Sequence, residues 1–217
     1  MTIMKYILPA LVLSVPAPSF AAENVAETIF AESALADAPI GATFSYDYRI
    51  VAPDGTEIQS FDSGSAMLDI VESADGGKAV VISLDRGGTE SELNELPASG
   101  GNPLVLIFLE QTARAMAELT GGSPYYIRNR MKEALLQPGE REEVPREDGT
   151  STRIVLRPFA GDPNRDKMGE FYDIEVTFVQ GKDVPGGIAE LDARVAGTGD
   201  APIYRQTLTF QGMEAPR

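Results

Sequence analysis

The stretch Asn102–Gly139, NPLVLIFLEQTARAMAELTGGSPYYIRNRMKEALLQPG, decides the fold. Asn102 is a residue type whose side-chain oxygen caps a helix start, and Pro103 behind it suits the first helical position, where a missing N–H costs nothing. Ser123 and Pro124 repeat that grammar. Gly121-Gly122 suits the left-handed turn that ends one helix, and Pro138-Gly139 ends the other. The stretch therefore predicts two helices joined by a tight turn, a helical hairpin at mid-chain.

On both sides of it the apolar period changes to two. From Ala42 to Ala52, Phe44, Tyr46, Tyr48 and Ile50 share one face of a strand. Pro53-Asp54-Gly55 predicts a turn, with Thr56–Phe61 returning as a hairpin partner. Met67–Glu72 and Lys78–Asp85 read as two more strands around Ala74–Gly77. Thr89 followed by Glu92 is a capping-box pattern, predicting one helical turn that carries Leu93 and Leu96. After the hairpin, Glu140–Gly149 reads as a solvated connection, and strands are expected at Thr152–Arg157, Glu170–Gln180, Ile188–Ala196 and Pro202–Gln211. Before the first strand, Ala22–Ala36 places Val25, Ala26, Ile29 and Phe30 on one stripe of a short amphipathic helix. Nothing alternates strand with helix, so the fold class expected is α+β. About eight antiparallel strands are expected, curled as a half-barrel around the central hairpin, with the short N-terminal helix alongside.

The first residues, MTIMKYILPALVLSVPAPSFAAEN, carry one lysine, an apolar run from Tyr6 to Val15, and small residues at Ser19 and Ala21. This is the pattern of a secretory signal peptide over 1–21, leaving 22–217 as a single globular domain. The run is short of the roughly 20 residues a spanning helix requires. Without cysteine there is no lipid-anchor site. A periplasmic location follows, with release from the cell left open. The whole chain has 33 acidic against 18 basic residues, a formal charge of −15. That field disfavours nucleic acid and anionic membrane surfaces as partners.

There is no His, no Cys and no Trp. Ser-His-Asp and Cys-His catalysis, imidazole or thiolate metal sites and disulfides are therefore excluded. The expectation is a protein that is not an enzyme and has no cofactor; any chemistry would fall to carboxylates or a hard metal ion. Glycine pairs occur, but none precedes the Lys-Ser/Thr of a phosphate loop.

Three places invite a functional reading beside a structural one. Leu104 to Leu109 is apolar all round, and serves either a core helix or the lining of an apolar cavity. Tyr125, Tyr126, Arg128, Arg130 and Lys132 form a net-positive helix that can dock an anion or pair with the chain's many carboxylates, of which Glu133, Glu140, Glu142 and Glu143 are close in sequence. Asp162, Asn164 and Asp166 space oxygens as the start of a calcium loop does, although Lys167 stands where such a loop has glycine; a turn between strands explains them as well.

This order of elements resembles the periplasmic lipoprotein carriers of the LolA and LolB type: signal peptide, N-terminal helix, open antiparallel half-barrel, helices on its concave side. The resemblance implies a cleft for an acyl chain, with Leu106, Phe108, Leu109, Met116, Tyr46 and Phe178 as its candidate lining. The function expected is binding or carriage of a lipid or other apolar ligand. The alternative is a structural or interaction protein of the envelope with a filled core and a protein partner.

Overall fold

A computed structural model describes residues 23–30, 35–146, 149–181, 184–199 and 201–216. The signal segment and residues 31–34 of the expected first helix lie outside the described residues. The secondary structure is α+β. The strands are β1 (Thr43–Val51), β2 (Phe61–Glu72), β3 (Lys78–Asp85), β4 (Glu90–Pro97), β5 (Glu140–Arg146), β6 (Gly149–Leu156), β7 (Glu175–Gly181), β8 (Ile188–Val195) and β9 (Tyr204–Glu214). The helices are α1 (Val25–Ile29), α2 (Pro103–Thr120), α3 (Pro124–Leu135) and the short α4 (Arg165–Met168).

All nine strands belong to one open antiparallel sheet in the order β4-β3-β2-β1-β9-β8-β7-β6-β5. The chain leaves the sheet at one edge, β4, and re-enters at the other, β5, with α2 and α3 between. Eight strand spacings separate those edges, about 38 Å. A helix of 18 residues, like α2, is about 27 Å long. The helical segment is thus the bridge between the two edges, and the two halves of the sheet join where β1 pairs with β9.

The ends of α2 behave as their residues require, whereas Ser123 opens α3 with no side-chain cap bond. Asn102 Oδ1 accepts the Leu104 N–H at 3.0 Å, and Gly121 takes the left-handed conformation at φ 67°. Asn102 is buried and does more than cap. Its Nδ2 donates to Gly186 O (3.2 Å) and Tyr46 Oη (3.4 Å), tying the start of α2 to the sheet. α1 opens with a capping box in which Asn24 and Glu27 exchange hydrogen bonds.

Four expectations about the strands are corrected. Glu90–Pro97 is strand β4 and not a helical turn. Leu93 and Leu96 are three apart, a helical spacing, yet β4 pairs Leu93 with Ile82 and Leu96 with Val80, so a bulge holds both on the core side. Glu140–Arg146 is strand β5; it is exposed along most of its length, so it carries no alternation to read. Thr56–Ser60 forms no strand, and β2 begins at Phe61; Glu170–Asp173 lies in a 3₁₀ turn (Gly169–Asp173) ahead of β7. Both sheet edges carry charge: Glu90, Glu92 and Glu95 on β4, and Glu140, Arg141, Glu142 and Glu143 on β5 with Pro145. Such edges disfavour addition of another strand and leave the faces as the surfaces for recognition.

One face of the sheet is apolar from β4 to β6. Phe44, Tyr46, Tyr48 and Ile50 on β1, Leu68 and Ile70 on β2, and Val176 and Phe178 on β7 are all buried in one continuous core with Leu104, Phe108 and Met116 of α2. A second small cluster, Val179, Val184 and Ala189, sits apart from it.

Candidate functional site

α2 faces the sheet with Leu104, Val105, Phe108, Leu109, Thr112, Ala113 and Met116. Of the proposed lining, Tyr46, Phe108, Leu109, Met116 and Phe178 are brought together in the buried core, whereas Leu106 is 55% exposed on the opposite side of the same helix. The expectation that the first turns of α2 are covered all round therefore fails at Leu106.

Within this greasy interior lies a polar cluster that the sequence did not announce. Tyr48 donates its hydroxyl to Gln111 Oε1 at 2.5 Å, Tyr204 donates to Gln206 Oε1 at 2.9 Å, and Gln206 Nε2 reaches Tyr48 Oη and Gln111 Oε1, each at 3.3 Å. Thr112 Oγ1 lies 2.9 Å from Phe108 O and 3.2 Å from Gln206 Oε1, so its single proton serves one of them. Tyr48, Thr112, Tyr204 and Gln206 are buried, and each finds a partner inside the cluster, as burial of a polar group requires. Burial pushes the Tyr48 hydroxyl up to about 12, against the pull of the Arg86 guanidinium beside it, and pushes Tyr204 higher still. All of these hydroxyls are protonated donors at neutral pH. Alternation marks Tyr48 and Tyr204 as core residues; only the pairing of β1 with β9 and the docking of α2 bring them to Gln111 and Gln206.

The positive helix is held by carboxylates. Arg128 meets Glu110 of α2 through two hydrogen bonds, 2.5 Å at Nε and 2.7 Å at Nη2, and Arg114 adds a third at 2.6 Å. The partner of Arg128 is on the other helix, whereas Arg130 pairs with the nearby Glu133 at 2.5 Å. The Arg128 hydrogen bonds hold the Glu110 carboxyl below its ordinary value. Arg128 also lies over the Tyr125 ring, 5.4 Å from its centroid, although Tyr125 itself is 76% exposed. Lys132 is exposed on α3.

Asp162 of the calcium-like run is buried against α3. Tyr126 donates to its carboxylate (2.7 Å to Oδ2), the Asn164 N–H donates to Oδ1 (2.8 Å), and Arg130 Nε stands 2.9 Å from Oδ2 as an ion pair off the N–H direction. Asn164 turns its side-chain amide to Tyr126 Oη at 2.9 Å. Asp166 begins α4. A guanidinium and a phenol thus occupy the carboxylate of Asp162 that a cation would need. No group of three or more acidic residues among those described is arranged to hold a metal ion. Asp47 and Asp69, which share a sheet face, do not meet: Asp47 pairs in register with Ser65, and Asp69 with Thr43.

On the other face of the sheet, β8 places Glu190 and Asp192 in a cleft of about 400 Å³ lined also by Arg146, Arg153, Arg194 and Arg205. Arg205 binds Asp192 through Oδ2, while Oδ1 is buried without a hydrogen-bond partner among the described residues. Burial first, and the Asp192 charge second, raise the Glu190 carboxyl above its usual value, against Arg205, Arg153 and Arg146. A carboxyl raised on folding is easier to ionise in the unfolded chain, so it costs stability once pH passes the unfolded value near 4.5. Glu190→Gln is accordingly expected to raise the melting temperature at pH 7, with the gain vanishing below about pH 4.5; a lower melting temperature at pH 7 would show that the ionised group is favourable where it stands.

The fold and interior together define an α+β protein built on an open antiparallel sheet with helices on its apolar face. No protein family model matches this chain. None of the curated protein sequences is similar to it. Among solved structures it bears a weak fold resemblance to the Mycobacterium tuberculosis lipoprotein LppX, with a TM-score of 0.31, 10% identity, and coverage of 82% of this chain and 88% of that one. At that level the likeness carries no argument about ligand or role. No helix among the described residues is long and apolar enough to cross a membrane.

Proposed function

We propose that this is a non-enzymatic periplasmic protein that binds or carries a lipid or other apolar ligand between its helices and a half-barrel formed by the sheet. The observation that carries this reading is the width of the apolar face. It runs over eight strands, from Leu93 and Leu96 on β4 to Ile154 and Leu156 on β6, a span of about 34 Å at ordinary strand spacing. Two helices side by side cover about 20–24 Å. In this reading the sheet curls around them, and the remaining cover comes from shorter pieces such as Val25–Ile29, Leu35 and the turn at Phe171. Short pieces part at lower cost than long helices do, and an acyl chain suits the apolar surface beneath. Leu106 on α2 and Leu136 just after α3 also stand in solvent, at 55% and 63% exposure, where an apolar ligand meets them first.

Native mass spectrometry of protein exported through its own signal segment tests this directly. A discrete adduct in the mass range of a fatty acid or phospholipid is expected, released by solvent extraction. A bare protein that also fails to take up added fatty acid overturns the reading. That result would favour the second one, an envelope protein with a filled core, to which the full burial of Tyr46, Phe108, Met116 and Phe178 and the exposure of Tyr125 point. Crosslinking in the periplasm would then seek its protein partner.

A further inference from the structure

We propose that Arg86 and Gln111 form an anion-binding anchor at the rim of the apolar face, which takes the carboxylate or phosphate head of the ligand while its chain lies inward. The inference rests on the carrier reading for the chain, and on independent geometry for the head.

Arg86 stands on the tight turn between β3 and β4. Its backbone N–H donates to Thr89 O (3.0 Å), and the Gly88 N–H donates to Asp85 Oδ1 (2.6 Å). Gly87 adopts φ 63° with Phe61 so close that a Cβ there would lie 2.9 Å from the Phe61 side chain. Phe61 in turn meets the Tyr48 ring edge-on at 5.1 Å. The turn is thereby packed onto the same tyrosine whose hydroxyl lies by the Arg86 guanidinium. Most arginines of this acidic chain, Arg128 and Arg157 for example, sit on carboxylates. Arg86 forms no ion pair among the described residues, and its neighbour is a neutral phenol. A half-buried guanidinium left without a carboxylate, in a chain of net charge −15, is the unusual feature.

Gln111 supplies the second donor. Its Oε1 already accepts from Tyr48 and Gln206, which assigns the amide orientation and leaves Nε2 with no acceptor among the described residues. The Tyr48 hydroxyl gives its proton to Gln111 and presents its oxygen lone pairs to the Arg86 guanidinium, which has donors only. Two half-buried donor groups, one of them charged and forked, thus converge on Tyr48 from β3 and from α2. A carboxylate or phosphate answers both: guanidinium pairs with either in bidentate geometry, and an amide N–H takes a remaining oxygen. A neutral apolar molecule answers neither. No bond is made or broken.

The test is binding of a long-chain fatty acid, its methyl ester and inorganic phosphate, measured on the wild type, Arg86→Met, Arg86→Lys and Gln111→Leu, each first checked for cooperative melting. The acid is expected to bind at least about tenfold more tightly than the ester, as one charge-assisted pair provides. Arg86→Met should remove that preference and leave ester binding intact, Arg86→Lys should keep part of it, and Gln111→Leu should lose about threefold. Equal binding of acid and ester by the wild type overturns the anchor and leaves the carrier reading standing. Phosphate binding that Arg86→Met abolishes, with no uptake of acid or ester, supports the anion site and overturns the carrier reading. No binding of any of the three overturns both.

Discussion

Phe108→Ala is expected to destabilise the protein by about 3–5 kcal/mol, the usual cost of removing a buried aromatic ring and leaving a cavity. The side chain is fully buried in the core shared by α2 and the sheet. Leu106→Ala, two residues earlier on the same helix, is expected to change stability by less than about 0.5 kcal/mol because its side chain stands mostly in solvent. The contrast sharpens with charge. Leu109→Asp should abolish folding, since a lone carboxylate would be buried without a partner, whereas Leu106→Asp should fold. Urea titrations followed by circular dichroism measure all four. A soluble, cooperatively unfolding Leu109→Asp variant would show that this side of α2 is wet, and an equal loss from both alanine variants would place Leu106 in the core.

The second large effect is at Asp162. Asp162→Ala is expected to cost about 3 kcal/mol, at the low end for breaking a buried pair because Arg130 keeps Glu133 at 2.5 Å. The variant strands the Tyr126 hydroxyl and the Asn164 N–H as well. Burial pushes the Asp162 carboxyl up, but the Asn164 N–H, Tyr126 and Arg130 outweigh it and hold the pKa below the ordinary 3.8. For a carboxyl lowered on folding, the stabilisation is present above the unfolded value and is lost as pH falls through the folded one. The gap between wild type and Asp162→Ala should therefore stay constant from neutral pH to about pH 4 and close below it. Thermal melts across that range decide it; a gap that closes above pH 5 would mean the carboxylate is not held low. Added calcium is expected to leave the wild-type melting temperature unchanged, and a rise that Asp162→Ala removes would restore the calcium reading.

Much of the architecture was legible because its signals are local. Asn102-Pro103 and Gly121 bracket α2 through backbone chemistry that needs no distant partner, and the alternation from Phe44 to Ile50 states which face of β1 is buried. The misreadings at β4 and β5 have one cause. At β4 a bulge converts a strand into a helix-like spacing of Leu93 and Leu96, and at β5 an edge position removes the alternation altogether. Both depend on what the neighbouring strand does, which is not written in the segment itself.

The candidate site divides along the same line. The sequence by itself determined the absence of imidazole and thiol chemistry, the acidic charge, the starts of α2 and α3 and the apolar character of the inner face, because composition and short-range stereochemistry suffice for these. Only the tertiary structure decided that Leu106 faces out while Phe108 faces in, that Arg128 answers to Glu110, that Asp162 is occupied by Tyr126 and Arg130, and that Tyr48, Gln111 and Gln206 meet beside Arg86. Those residues lie between 18 and 158 positions apart in their pairs. Their meeting follows from the β1–β9 pairing and from the way α2 crosses the sheet, and no periodicity along the chain encodes either.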